Sequence, residues 1–315
     1  MGLIEGGHRS NLETVSDPFI LLGAQPRAGN HLLRGLLDHH PELLLPPDED
    51  YFFRHLLRNP VVKLRGMLCA PQRAPAFYRS LQKEGHLERV NAGRSKNVSG
   101  TEDSLDLERY YAYVKSHHAR FSLATLIRTH VCALEAALGA EGQGRKPVSF
   151  CAVQASKQDA LRQGRVLARL YDLRSVFVLR DPRAHYASKL GRKPDLSLSS
   201  YCRQQNDYLK QIDALSRHAP VLPVRFEALL CETEASMREV CDFLEIAFAE
   251  QVTRFTQNGE PTQSNSSYGA SSGIDLSALT RYREIVPEQA LRFIESHCPK
   301  ELFWERELGS VSAAT

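Results

Sequence analysis

Two short stretches carry residue types suited to holding phosphates: Pro26-Arg27-Ala28-Gly29-Asn30-His31-Leu32 and, far downstream, Arg180-Asp181-Pro182-Arg183-Ala184-His185-Tyr186-Ala187-Ser188. Each follows an apolar run of strand length and opens into apolar positions spaced for a helix. A strand-to-helix turn of this kind offers an anion free backbone N–H groups and the positive end of a helix dipole. Arg27 and Arg180 add planar cations, and Asn30, His31 and Ser188 add neutral donors. Two cradles in one chain point to a ligand phosphorylated at two places. A third stretch, Asp48-Glu49-Asp50-Tyr51-Phe52-Phe53, sets carboxylates beside one another and beside aromatic rings. Such surroundings push a carboxylate's pKa up toward the range a general base needs. The same three acids would also suit a solvated loop.

The elements around these residues read as alternating strands and helices. Asp17 to Ala24 is a buried strand, and His31 to His40 a helix with Leu32, Leu33, Leu36 and Leu37 on its apolar face. Residues 54–146 form a mostly helical stretch with a polar interval near Asn91 to Asp106. Strands follow at Val148 to Gln154, Ser175 to Leu179 and Val221 to Val224. Helices follow at Asp159 to Tyr171, Pro182 to Leu190, Leu198 to Ser216 and Glu234 to Leu244. Alternation of this kind predicts an α/β fold built on a parallel sheet with helices on both faces. The tail from Phe255 to Ile285 is rich in Ser, Gly, Asn and Gln, as flexible linkers are, and Pro287 opens a last helix ending at Cys298.

Composition narrows the classes. The chain has 315 residues, 42% hydrophobic and 24% charged, with a net charge of +3. That balance fits a globular protein and is too mild for a nucleic-acid binder. No apolar run approaches the ~20 residues of a spanning helix, and the polar start lacks the apolar core of a secretory signal. The 7 cysteines are dispersed without CxxC pairs, which predicts neither a disulfide framework nor a zinc site and suits a reducing, cytoplasmic compartment. The 12 histidines show no HxxxH or HExxH spacing, so no metal is expected.

Taken in order, Pro26 to Leu33, Asp48 to Phe53, Arg180-Asp181-Pro182-Arg183 with Ser188, and Arg225-Phe226-Glu227-Ala228-Leu229 resemble the sulfotransferases that use 3′-phosphoadenosine 5′-phosphosulfate (PAPS). The resemblance implies one P-loop-like domain over 1–315, with 54–146 as a helical acceptor-binding insertion. It implies transfer of a sulfuryl group to a small-molecule or carbohydrate acceptor through a hydroxyl or amine, leaving the bisphosphate PAP. In that family the first loop, typically P-[KR]-S-G-[TN]-[ST], binds the 5′-phosphosulfate. By the resemblance, Arg27, Ala28, Gly29, Asn30, His31 and Leu32 hold that end, while Arg180 and Ser188 hold the 3′-phosphate. Arg27 takes the place of the usual lysine, and Asn30 and His31 replace the usual hydroxyls. Glu49 matches the base of the carbohydrate-type K-E-x-H-F-F segment, with Asp48 next in line. Lys157, in Gln154-Ala155-Ser156-Lys157, is displaced from the family's K-[TD]-P and would help stabilise charge. Ser267 and Tyr268, with Arg281-Tyr282-Arg283, resemble elements that close over the donor. Arg128-Thr129-His130 mimics the K-T-H base of cytosolic members but lies too late in the chain, which makes His130 a core or surface histidine.

Two alternatives stay open at this level. A nucleotide kinase or NTPase would need G-x-x-x-x-G-K-[ST], and Gly29 is followed by Asn30-His31, without the lysine and the magnesium-binding hydroxyl. A non-catalytic PAP-binding protein would account for the altered Asn30-His31 pair. A second copy of the chain is a further candidate partner.

Overall fold

Pro18–Ala24 is buried on both faces beyond its first residue, as befits a strand with neighbours on either side and helices above and below. In the computed structural model, which describes residues 17–46, 51–82, 105–152, 159–257, 260–261 and 275–304, this strand, β1, is the centre of a five-stranded sheet. The strands are β2 (Leu43–Leu44), β3 (Lys146–Ala152), β4 (Asp172–Leu179) and β5 (Val221–Arg225), in the order β2-β3-β1-β4-β5. All four pairings are parallel, with Leu22 of β1 opposite Phe150 of β3 and Val176 of β4. The expected parallel α/β architecture is present.

Alternation along the strands divides the core. Phe19 and Leu21 of β1, with Phe177 and Leu179 of β4, face one apolar cluster, and Ile20, Leu22, Val176 and Val178 face the other. The second face is covered by α1 (Asn30–Leu36) and, later in the chain, by Phe226–Cys231 and Thr233–Leu244. The first is covered by helices that lie in sequence between β2 and β3: α2 (Phe52–Arg58), α3 (Pro60–Leu68), α4 (Ala74–Leu81), α5 (Leu107–His117) and α6 (Leu123–Ala137). α7 (Asp159–Leu167) and α9 (Leu198–Ser216) complete that layer, and α8 (Pro182–Leu190) follows β4. α10 (Phe226–Cys231) and α11 (Thr233–Leu244) follow β5, and α12 (Tyr282–Ile285) and α13 (Glu288–His297) dock on α8 and α9 through Tyr186, Tyr201, Tyr282 and Ile294.

Several boundaries differ from the sequence expectation. α1 stops at Leu36, well short of His40, because Leu37 already donates its N–H to the Arg34 and Leu33 carbonyls and His39 turns left-handed at φ +56°. α7 ends at Leu167 instead of Tyr171, and β4 begins earlier, at Asp172. Arg225 closes β5, and Phe226-Glu227-Ala228-Leu229 starts a helix. In the tail, Thr256–Gln257 pairs antiparallel with Glu260–Pro261, and Leu276–Leu279 forms a 3-10 turn. His130 is fully buried in α6, stacked on Phe52 at 3.8 Å between ring centroids and hydrogen-bonded with Tyr110 at 2.8 Å, which makes it the core histidine of the two readings, core or surface.

Candidate functional site

In a parallel sheet every strand ends at the same edge, so the turns that leave β1 and β4 meet. Ala24 lies opposite Val178, and β1 is the strand flanked on both sides by later strands, where the two following segments of chain part to opposite sides. The first turn is set by its own residues. Ala28 N–H donates to the Gln25 carbonyl at 2.9 Å, Pro26 occupies the second position and Arg27 the third with φ +76°. Positive φ at that position marks a type II turn, and proline at the second position favours it. The third position ordinarily takes glycine or asparagine, so Arg27 is held in a conformation that costs an L-residue about 1–2 kcal/mol. Gly29 follows at φ +108°, and a Cβ there would lie 2.4 Å from the Phe226 ring. Glycine is therefore required on two counts, backbone angle and space.

The second turn is built as a helix cap. Asp181 Oδ1 accepts from Arg183 N at 2.8 Å and Pro182 fills the first helical position of α8. The Arg183 guanidinium grips both Asp181 oxygens, through Nε at 3.1 Å and Nη2 at 2.7 Å, and reaches Glu295 at 3.0 Å. Trp304 N donates to Asp181 Oδ2 at 3.1 Å. This network occupies Arg183 and Asp181 structurally and fixes where α8 begins.

Arg180 joins the two turns. Its Nη1 donates to the Arg27 carbonyl at 2.8 Å, its Nη2 to the Ala278 carbonyl at 3.3 Å, and its guanidinium lies 4.3 Å from the Phe226 ring centroid. Burial draws its pKa down to about 10 even with Glu227 nearby. Its Nε is buried with no hydrogen-bond partner among the described residues, as is Asn30 Oδ1. A buried cation with an orphan donor is a group set to receive an anion. Ser188, one helical face along α8, places its Oγ 3.4 Å from Arg27 Nε, so the structure brings Arg27, Ser188 and Arg180 together around the loop. Ala28 is buried, and Gly29, Asn30, His31 and Leu32 line the partly exposed start of α1.

Two further residues bear on this loop without belonging to the motif positions. His185 is completely buried, and its Nε2 donates to the Pro26 carbonyl at 3.0 Å. A carbonyl only accepts, so Nδ1 is the unprotonated nitrogen, facing Gln205 Nε2 and the Tyr201 hydroxyl at 3.3 Å each. Burial, reinforced by Lys189, holds its pKa well below the ordinary histidine value, so it stays neutral and props the turn. Glu227 is also buried; its Oε1 accepts from Asp181 N at 2.8 Å, its Oε2 has no partner among the described residues, and burial raises its pKa to about 7. Their signals in the sequence are the fifth position after Arg180, inside the stretch that ends at Ser188, and the acid of the Arg225-Phe226-Glu227 run. Both gain a role only through contacts distant in sequence.

Glu49 and Asp48 lie outside the described residues, as do Lys157, Ser267 and Tyr268. The chain approaches Asp48 through Pro46, whose carbonyl accepts from the Arg34 guanidinium of α1, and resumes at Tyr51, stacked on His55. Among the described residues no group of three or more His, Cys, Asp or Glu could hold a metal ion.

Two strand-to-helix turns, one glycine-bearing and one ending in arginine and serine, thus meet at the switch point of a parallel sheet in an α/β fold. A sequence profile of the sulfotransferase family matches residues 18–250, and the chain belongs to that family. No curated protein matches the sequence. Among solved structures, the chain is similar to the sulfotransferase domain of the Synechococcus PCC 7002 olefin synthase, with 16% identity, a TM-score of 0.55, and 90% of this chain and 95% of that one covered. It is likewise similar to the sulfotransferase domain of the curacin biosynthetic pathway, at 16% identity and a TM-score of 0.54, covering 90% of this chain and 97% of the other. At such identity the likeness extends to the fold.

Proposed function

We propose that the chain moves the sulfuryl group of PAPS onto a hydroxyl or amine of a small-molecule or carbohydrate acceptor, releasing PAP. The observation that carries the reading is the buried Arg180, whose Nε is unpartnered among the described residues and whose Nη1 holds the carbonyl of Arg27, the residue whose own Nε meets Ser188. A donor bearing phosphate at two ends would span the two turns, its 3′-phosphate toward Arg180 and Ser188 and its reacting end on the Arg27 loop and the start of α1. Arg180 would pivot little, since Nη1 and Nη2 each already donate to a carbonyl, and its unpartnered Nε would take a new acceptor.

In-line transfer needs charge stabilised on the leaving phosphate oxygen and a base for the acceptor's proton. Arg27 supplies the cation. The backbone N–H groups of Gly29, Asn30 and His31, at the start of α1, supply fixed donors to the same phosphate. As the S–O bond to the donor phosphate breaks and the bond to the acceptor oxygen or nitrogen forms, Glu49 takes the acceptor's proton. His31 and Lys157 are assigned to the developing negative charge, and Ser267 and Tyr268 to donor binding. No step calls for a metal. The helical stretch 54–146 is assigned to the acceptor.

The test is transfer of labelled sulfate from PAPS to components of an extract of the source organism, run beside Glu49→Gln. Turnover falls by about 10²-fold or more in the variant while PAP affinity stays nearly unchanged. Equal turnover by both proteins would remove Glu49 from the mechanism, and PAP binding without transfer to any acceptor would leave a binding protein.

A further inference from the structure

The helical stretch carries exposed apolar side chains that make none of the contacts described around the Arg27 and Arg180 turns. Val61, Leu64 and Leu68 stand on α3 at the spacing of a single helical face, 71%, 56% and 47% exposed. Phe121, 67% exposed, adjoins the end of that helix: its N–H donates to the Met67 carbonyl at 2.7 Å, and Arg120 Nη2 donates to the Leu68 carbonyl at 3.2 Å. These are four of the five large hydrophobic side chains exposed among the described residues; the fifth is Leu276. Scattered exposed leucines need no explanation, but a contiguous set does. Phe121 also has φ +70°, a left-handed conformation rare for a bulky residue. The chain thus accepts strain to present an aromatic ring outward.

The charge around the patch is one-sided. From Tyr51 to Lys83 the sequence contains no aspartate or glutamate, in a chain whose net charge is only +3. Lys63 and Arg65 rise from α3 itself, Arg73 is exposed just beyond it, and the Arg120 guanidinium sits 5.1 Å from the Phe121 ring centroid. Two copies of this face would set like charges against each other, which disfavours self-association. Side chains this exposed project from the surface and do not line a groove. Apolar tips ringed by Lys and Arg are the signature of a protein that lies on a membrane interface. We propose that this face docks on an anionic lipid surface, with Val61, Leu64, Leu68 and Phe121 entering the headgroup–acyl boundary and Lys63, Arg65, Arg73 and Arg120 meeting lipid phosphates. Such docking is independent of the transfer reaction.

The experiment is co-sedimentation of the full chain with vesicles of phosphatidylcholine alone or with about 30 mol % phosphatidylglycerol, near 0.1 M salt. The wild type partitions onto the anionic vesicles at least about 10-fold more strongly than onto the neutral ones, and about 1 M salt releases it. Leu64→Glu and Phe121→Asn each reduce partitioning by about 10-fold. Phe121→Asn melts at or above the wild-type temperature, because asparagine tolerates the left-handed conformation, so its weaker binding is not a failure to fold. Absence of any preference for anionic vesicles, or variants that bind as the wild type does, overturns the proposal. So does a concentration-dependent dimer abolished by Leu64→Glu without vesicle binding, or retention only on a polyglutamate matrix, which would assign the face to a second copy or to an acidic protein.

Discussion

Replacing Arg27 by glycine separates the charge of this residue from its conformation. At φ +76° the arginine carries a backbone cost of about 1–2 kcal/mol, which glycine relieves. Glycine gives back about 0.5–1 kcal/mol through the freedom of its unfolded chain. One hydrogen bond lost with the side chain, from Arg27 Nε to Ser188 Oγ at 3.4 Å, is long and contributes little. Stability should therefore stay within about 1 kcal/mol of wild type, although the substitution falls in the candidate site. Turnover should behave in the opposite way. Removing one fixed donor from a developing oxyanion typically costs about 3–4 kcal/mol, or 10²–10³-fold in rate. Arg27→Lys keeps the charge but loses the planar fork, and should fall about 10-fold. Thermal melting and labelled-sulfate transfer, measured on the same preparations, check both halves. Turnover of Arg27→Gly within about threefold of wild type would remove Arg27 from the chemistry, and destabilisation beyond about 2 kcal/mol would refute the strain argument.

Gly29→Ala should destabilise the protein by about 2–3 kcal/mol in chemical denaturation, since the new Cβ meets the Phe226 ring at 2.4 Å and φ is +108°; an unchanged midpoint would contradict the packing described. Glu227 is protonated in the folded protein up to about pH 7 but ionises near 4.5 when unfolded. Its contribution is thus present at low pH and lost as pH rises through 7, by ~3 kcal/mol for an isolated group. Glu227→Gln should remove that part of the slope, so the variant gains on wild type toward pH 8, and parallel stability–pH curves would exclude it. His185→Phe removes the donor to the Pro26 carbonyl and should weaken PAP binding about 10-fold with a smaller effect on melting, whereas His185→Gln should restore part of the affinity. Equal PAP affinity in both variants would make His185 a core residue only.

The sheet was legible because its strands are short, apolar and punctuated by turn residues, and because a parallel sheet must bring the ends of Pro18–Ala24 and Asp172–Leu179 to one edge. The unbroken apolar run Phe19-Ile20-Leu21-Leu22 also suits a strand covered on both faces, and its alternate residues enter the two core clusters. The end of the first helix was not legible, since Leu37 continues the apolar spacing and only the cap geometry reveals the stop. Leu43–Leu44 is too short to carry a pattern. At the site, residue types in the two loops marked where an anion would sit, but how Arg180 is held was beyond the sequence. Its partners, the carbonyls of Arg27 and Ala278 and the Phe226 ring, come from three separate segments. The same holds for His185, which acts on a carbonyl 159 positions away.

The account turns on two anion sites joined in one ligand, and thermal shift with PAP against adenosine 5′-monophosphate tests this most directly. The two nucleotides differ only in the 3′-phosphate assigned to Arg180 and Ser188. PAP should raise the melting temperature clearly more than the monophosphate does, with a binding advantage of about 10²-fold, and magnesium ATP should not match it. Equal shifts from PAP and the monophosphate, or a larger shift with magnesium ATP, would contradict the assignment.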